Sequence, residues 1–125
     1  MKFTALHIPP HEHPKPVQLE NNLEALQAAV GGYIEYAPLV TYEGVEYVML
    51  LNEEGKLIGL EPNRRIGETD VLVGDCYICA MNEEGEHVDM TPEMLDIFTT
   101  LYYCPDNDIT QEEVEASMKI EVQFM

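Results

Sequence analysis

Residues 46–65 read EYVMLLNEEGKLIGLEPNRR, and the fold turns on how this stretch is read. Val45, Tyr47, Met49 and Leu51 alternate with Glu46, Val48 and Leu50, so one face is wholly apolar or aromatic and the other largely so. That pattern predicts a strand with little exposed surface. Asn52-Glu53-Glu54-Gly55 then reads as a type I turn, with Gly55 at the position that needs positive φ. Lys56-Leu57-Ile58-Gly59-Leu60 is predicted as the return strand of a hairpin. Glu61-Pro62 stops it, because proline has no N–H for the ladder, and Asn63-Arg64-Arg65 is expected to begin an irregular connection.

The same four residues recur thirty positions later as Asn82-Glu83-Glu84-Gly85, between Cys79-Ala80-Met81 and Glu86-His87-Val88. The flanks of the two turns do not match, so convergent turn chemistry is a simpler account than duplication.

At 125 residues the chain reads as one domain, 1–125, long enough to bury a core without staples. Its apolar content of 46% is that of a globular protein. No stretch approaches the roughly 20 apolar residues of a membrane helix. Met1-Lys2-Phe3-Thr4 followed by Pro9-Pro10 does not form a signal peptide, and three cysteines are an odd count, so a reducing cytoplasm is expected. Charge is the outlier. Twenty-four acids against six bases give a formal net charge of -18, which opposes direct binding to duplex DNA or an anionic membrane.

In chain order, Lys2 to Ile8 is predicted as an inner strand with two largely apolar faces, and the proline-rich segment Pro9 to Val17 as an extended connection. Asn21 or Asn22 is expected to cap a helix, with Glu24 completing a capping-box-like pattern after Asn21 and Leu23, Leu26, Gln27 and Val30 on one face. Gly31-Gly32 ends it and reverses the chain into a strand, Tyr33-Ile34-Glu35-Tyr36. Asp70 to Met81 is a long apolar run interrupted at Gly74-Asp75, where a bulge or bend is expected.

Thr91-Pro92-Glu93 opens a second helix with a hydroxyl cap, proline at the first helical position and an acid in the first turn. Met94, Leu95, Phe98, Leu101 and Tyr102 give it a broad apolar face, and Cys104-Pro105 ends it. Thr110 is expected to cap a short acidic helix over Gln111–Met118, and Lys119–Phe124 to close the chain as an alternating strand. The fold class is therefore α+β: a mainly antiparallel sheet of five to seven strands with two main helices packed on one face.

Three groups of residues carry a resemblance. They are Leu23-Glu24-Ala25-Leu26-Gln27 with Val30-Gly31-Gly32-Tyr33-Ile34-Glu35, then Asn52 to Leu57 with Gly59-Leu60 and Asn63, and Val73-Gly74-Asp75. With these the chain resembles a family that is itself a domain of unknown function, met in small proteins of phages, plasmids and conjugative elements of gut bacteria. The resemblance implies a shared fold and a mobile-element origin, and it implies no catalytic residue.

Candidate chemistry is sparse. Cys76 and Cys79 form a C-x-x-C, but three residues along a strand point to opposite faces, which suits buried apolar cysteines better than a redox or zinc pair. His11 and His13 supply two ligands on a loop, fewer than a metal site uses. A lone Ser117 without a Gly-x-Ser-x-Gly setting provides no acyl-transfer nucleophile, and Gly31-Gly32 follows a helix where a phosphate loop would precede one. No constellation supports an enzyme, a metal or a cofactor.

Two features remain. Arg64 and Arg65 are the only arginines, and beside Asn63 they are either paired with carboxylates or available as an anion or partner contact. The clusters Glu53-Glu54, Glu83-Glu84-Glu86 and Glu112-Glu113-Glu115 are either solvated faces or an acidic contact surface. The expected function is a non-enzymatic acidic accessory protein of a mobile element that binds a protein with a basic surface, in one version as a nucleic-acid mimic. The alternative is a small-molecule or anion-binding module using the sheet face and Arg64/Arg65.

Overall fold

A computed structural model describes the backbone of residues 1–123 and the side chains of residues 1–118. Its strands are β1 (Lys2–Ile8), β2 (Lys15–Glu20), β3 (Ile34–Tyr42), β4 (Val45–Asn52), β5 (Pro62–Ile66), β6 (Asp70–Val73), β7 (Cys76–Met81) and β8 (His87–Val88). Its helices are α1 (Leu23–Val30), α2 (Pro92–Leu101) and α3 (Gln111–Gln123). Six strands form one antiparallel sheet in the order β2-β1-β7-β4-β3, with β8 also paired to β7, and β5-β6 form a separate antiparallel ribbon. The α+β class and the antiparallel sheet agree with the sequence.

The central strands β1, β7 and β4 are apolar on both faces, and this decides where the helices go. Leu6, Ile8, Tyr47, Met49, Cys76 and Ile78 look to one side, where Met94 and Phe98 of α2 cover them. Phe3, Ala5, Val48, Leu50, Tyr77 and Cys79 look to the other, where Leu26 and Val30 of α1 cover them. The two helices thus pack on opposite faces, correcting the expectation of one face. A sheet whose strands are apolar on both sides needs cover on both.

The organising stretch also folds differently from its reading. β4 is the predicted strand, but its partners are β3 and β7, so neither edge is left for a return strand at 56–60. Those residues coil instead. The Ile58 amide donates to the Glu54 carbonyl (3.0 Å) and the Leu60 amide to Gly55 (3.0 Å), and Gly59 at φ +75° reverses the chain. The hairpin partner of β4 is β3, joined through Glu43 (φ 52°) and Gly44 (φ 78°), the two left-handed residues of a tight hairpin turn. The repeated Asn-Glu-Glu-Gly does close a hairpin at its second copy, between β7 and β8. In both copies the Asn side chain accepts from the amide two residues on, Glu54 at 2.8 Å and Glu84 at 3.1 Å. Local turn chemistry is shared, and its continuation is set by the strands available.

Several other boundaries move. Asn63-Arg64-Arg65 lies within strand β5, and the run from Asp70 divides at Gly74 into β6 and β7, which join different sheets. Lys15, Pro16 and Val17 belong to β2, an outer strand where a missing N–H is tolerated. The cap of α1 is Asn22, whose side chain accepts from the Ala25 amide, so Glu24 is not at the capping-box position. Thr91 caps α2 through the Met94 amide as expected. At the C-terminal end α3 continues to Gln123, so the strand expected from Lys119 is helical to that point; its side-chain alternation and Phe124 lie outside the described residues. Val114 of α3 packs on Val71 and Val73, which fastens the helix to the ribbon.

Candidate functional site

The arginine pair sits where the ribbon meets the loops. Pairing of β5 with β6 shifts register between Pro62 and Arg64, and Asn63 and Arg64 are both buried there. Asn63 Nδ2 donates to the carbonyls of Ile8 and Gly74 (2.8 Å each), and its Oδ1 accepts from Arg64 Nη1. The Arg64 guanidinium is ringed by main-chain oxygens: Nε reaches Tyr102 (2.7 Å), Nη1 reaches Pro9 (3.0 Å), and Nη2 reaches Glu12 (2.7 Å) and Tyr103 (3.5 Å). Burial lowers its pKa from the usual guanidinium value. All of its donors face acceptors of this chain, leaving none directed at a bound anion.

Arg65 points outward. Its Nε and Nη2 grip Glu113 Oε2 (2.6 Å) and Oε1 (2.9 Å), and Nη1 reaches Asp108 Oδ1 (3.0 Å). These contacts hold the Arg65 pKa above its usual value and lower that of Glu113. Arg65 is thus paired with carboxylates and holds α3, whereas Arg64 ties loops together through carbonyls.

The acidic clusters are distributed. β4 and β7 are antiparallel with Glu46 opposite Met81, so Glu83, Glu84 and Glu86 extend beyond one end of β4 and Glu53-Glu54 beyond the other. β4 is 8 residues long, which sets those ends about 23 Å apart. Glu113 is engaged by Arg65, between Glu112 and Glu115 at the start of α3. The two turn clusters thus lie at opposite ends of β4, and the third lies on α3.

Cysteine and histidine are also used within the fold. Cys76 and Cys79 lie on opposite sheet faces, as their spacing requires, and burial pushes both thiols up to about 12. Cys104 is exposed. Native protein treated with iodoacetamide at neutral pH should therefore carry one label, on Cys104, and three after unfolding; rapid native labelling of Cys76 or Cys79 would contradict their burial. His11 bridges Asn107 Oδ1 (2.6 Å) and Glu61 Oε1 (2.7 Å), while His13 stacks on Tyr103 and bonds its carbonyl (2.7 Å). Among the described residues no group of three or more His, Cys, Asp or Glu side chains is placed to hold a metal ion.

The surface that the sequence left unmarked is apolar. Between α2 and the end of β3 runs a groove of about 540 Å³, lined by Leu39, Val40 and Tyr42 on the strand and by Met94, Ile97 and Leu101 among the helix residues. A register shift between Pro38 and Val40 inserts Leu39 into β3 and leaves Val40 opposite Tyr47, on the face that α2 covers. Val40 and Tyr42 are each 46% exposed, Ile97 45% and Leu101 68%. Acids border it. Glu43 and then Glu93 raise the Tyr42 pKa, a sign of local negative potential. None of the described Lys or Arg side chains lines the groove. The available signal was that α2 carries more apolar residues, Ile97 included, than one buried face uses.

These features define a small α+β protein whose sheet is covered on both faces and whose polar clusters serve its own loops. Residues 1–103 match the family described as Domain of unknown function (DUF3846), and the chain belongs to that family. The match runs from β1 through α2 and ends before α3. No curated protein and no solved structure matches the chain.

Proposed function

We propose that this protein is a non-catalytic, acidic protein-binding module whose partner presents an apolar segment flanked by Lys or Arg. The observation that carries the reading is the groove between α2 and β3, where four large apolar side chains stand together in solvent beside Glu43 and Glu93. Single exposed apolar residues are ordinary, whereas a contiguous patch with a charged rim marks an interaction surface. A second copy of the chain is a poor occupant, because each copy brings a net charge of -18. A basic partner gains from the same field and loses the gain as salt rises. The resemblance to phage, plasmid and conjugative-element proteins supports an accessory role in a mobile element, acting in the cytoplasm. The mimicry form of the reading gains no support from acids placed at both ends of the sheet.

The test compares wild type with Ile97→Glu/Leu101→Glu as baits in a nuclease-treated bacterial host lysate. A protein retained by wild type, released by raising salt and absent from the variant is the expected result. Equal capture by both baits, with the variant folded by circular dichroism, would remove the groove from the interaction.

A further inference from the structure

The six-stranded sheet ends at β3, and the outer edge of that strand is poorly made for a further strand. The Tyr33 carbonyl accepts from the Glu53 amide (2.8 Å), so by alternation Glu35 and Ala37 turn their main-chain groups to β4, and Ile34, Tyr36 and Pro38 turn theirs outward. Pro38 has no N–H to offer, and the bulge that follows it breaks the spacing of any added ladder. What β3 leaves open is a face. α2 stands over β1, β7 and β4, where Phe98 meets Tyr47 with ring centroids 5.6 Å apart. Val40 and Tyr42, one strand further out, keep nearly half of their surface in solvent.

The uncovered face has the dimensions of a missing helix. Packed helices lie about 8–10 Å apart and paired strands about 4.8 Å, so a helix beside α2 is displaced by about two strands, from the middle of the covered three to β3. On α2, Glu93, Ile97 and Leu101 are spaced by four and line the groove as one row about 12 Å long. Val40 and Tyr42 form its floor. Apolar residues at i, i+4 and i+7 cover about 10 Å of a helix, which matches this row. Both acids stand at one end, because Glu93 opens the row and Glu43 follows Tyr42, and both act on the Tyr42 hydroxyl. Resting on the groove as the contact surface, we infer that its occupant is an amphipathic α-helix of the partner, laid beside α2 over β3. Its apolar row lies on Val40, Tyr42, Ile97 and Leu101, and its Lys or Arg residues lie at the end that meets Glu43 and Glu93.

Three synthetic peptides of equal length test it. The first is a side-chain-stapled helix with Leu at i, i+4 and i+7 and a pair of Lys at one end. The second replaces both Lys with Glu, and the third is unstapled, with the same Lys pair and Leu at alternate positions. Each is titrated into methyl-labelled protein and followed by NMR. The basic helix should shift the methyls of Val40, Ile97 and Leu101 saturably and bind about tenfold more tightly than either of the others. Ile97→Glu/Leu101→Glu should weaken it about tenfold or more, and Glu93→Gln about threefold. Absence of saturable shifts with the basic helix would overturn the inference, as would equal binding by the alternating peptide or shifts centred on Met49 and Leu72. Equal binding by the acidic helix would overturn the basic end. If lysate capture is lost in Ile97→Glu/Leu101→Glu while the basic helix stays silent, the groove remains the contact surface and only its helical occupant falls. Equal capture by both baits would overturn the groove reading and this occupant with it.

Discussion

Arg64→Met should lower the free energy of unfolding by about 3 to 5 kcal/mol, the largest loss expected from a single polar side chain in this protein. Arg64 is 2% exposed, and its guanidinium joins three separate pieces of chain: the loop after β1 at Pro9 and Glu12, the end of α2 at Tyr102 and Tyr103, and its own neighbour Asn63. Methionine restores much of the volume but none of the donors, so several carbonyls would be left in a space that water enters poorly. Each such group costs about 1 to 3 kcal/mol, partly recovered as the loops relax outward. Arg64→Lys keeps the charge, but a single nitrogen cannot span acceptors arranged around a planar fork, so it should recover less than half of the loss. Urea denaturation is the measurement. If both variants fall within about 1 kcal/mol of wild type, the buried node does not hold these loops.

Gly74→Val is expected to destabilise by about 3 kcal/mol or more, and Gly31→Val by about half as much. Both glycines occupy left-handed backbone, at φ +71° and +78°. They differ in what a side chain would meet. At Gly31, the C-cap of α1, a Cβ has open space, so strain at positive φ acts alone. At Gly74, between β6 and β7, a Cβ would lie 2.7 Å from Leu60 Cδ1, so a clash is added to the strain. Gly55 shows the converse: its backbone is not left-handed, contrary to the turn assigned to it, yet a Cβ there would come within 2.9 Å of Val73 Cγ2. Gly55→Val should therefore cost about 1 to 3 kcal/mol through packing. A double-mutant cycle separates the contributions, because Leu60→Ala should relieve much of the Gly74 penalty and none of the Gly31 penalty. Equal losses for Gly74→Ala and Gly31→Ala in thermal melts would show that Leu60 yields freely.

Glu53 was already marked in the sequence by its cluster; Glu35 lies near it because β3 pairs with β4, and Asp70 because the ribbon folds back over that pair. The groove drew no attention in the sequence, since Val40 and Ile97 are ordinary apolar residues whose exposure follows from the bulge in β3 and the placement of α2. Arg64 and Arg65 stood out in the sequence as the only arginines, but only the fold separates them: one guanidinium is buried among carbonyls and the other holds α3.

What the sequence determined by itself is the set of features that neighbours along the chain control. The cap at Thr91, the left-handed stop at Gly31, the break at Gly74, and the opposite orientation of Cys76 and Cys79 depend on a few residues and their backbone preferences, and all are present. Two apolar faces on β1, β4 and β7 were also readable, and with them an inner position in an antiparallel sheet. Partner choice was decided only in three dimensions. Lys56 to Leu60 has the composition of a strand, but β3 and β7 occupy both edges of β4, and a segment without a free ladder satisfies its amides in local turns. Asn63 to Arg65 becomes a strand for the opposite reason, because Val71 and its neighbours in β6 offer an edge once Gly74 has turned β7 into the main sheet. Helix placement follows the same competition: α1 and α2 separate because each apolar face of the sheet has to be covered, and that requirement belongs to the assembled sheet.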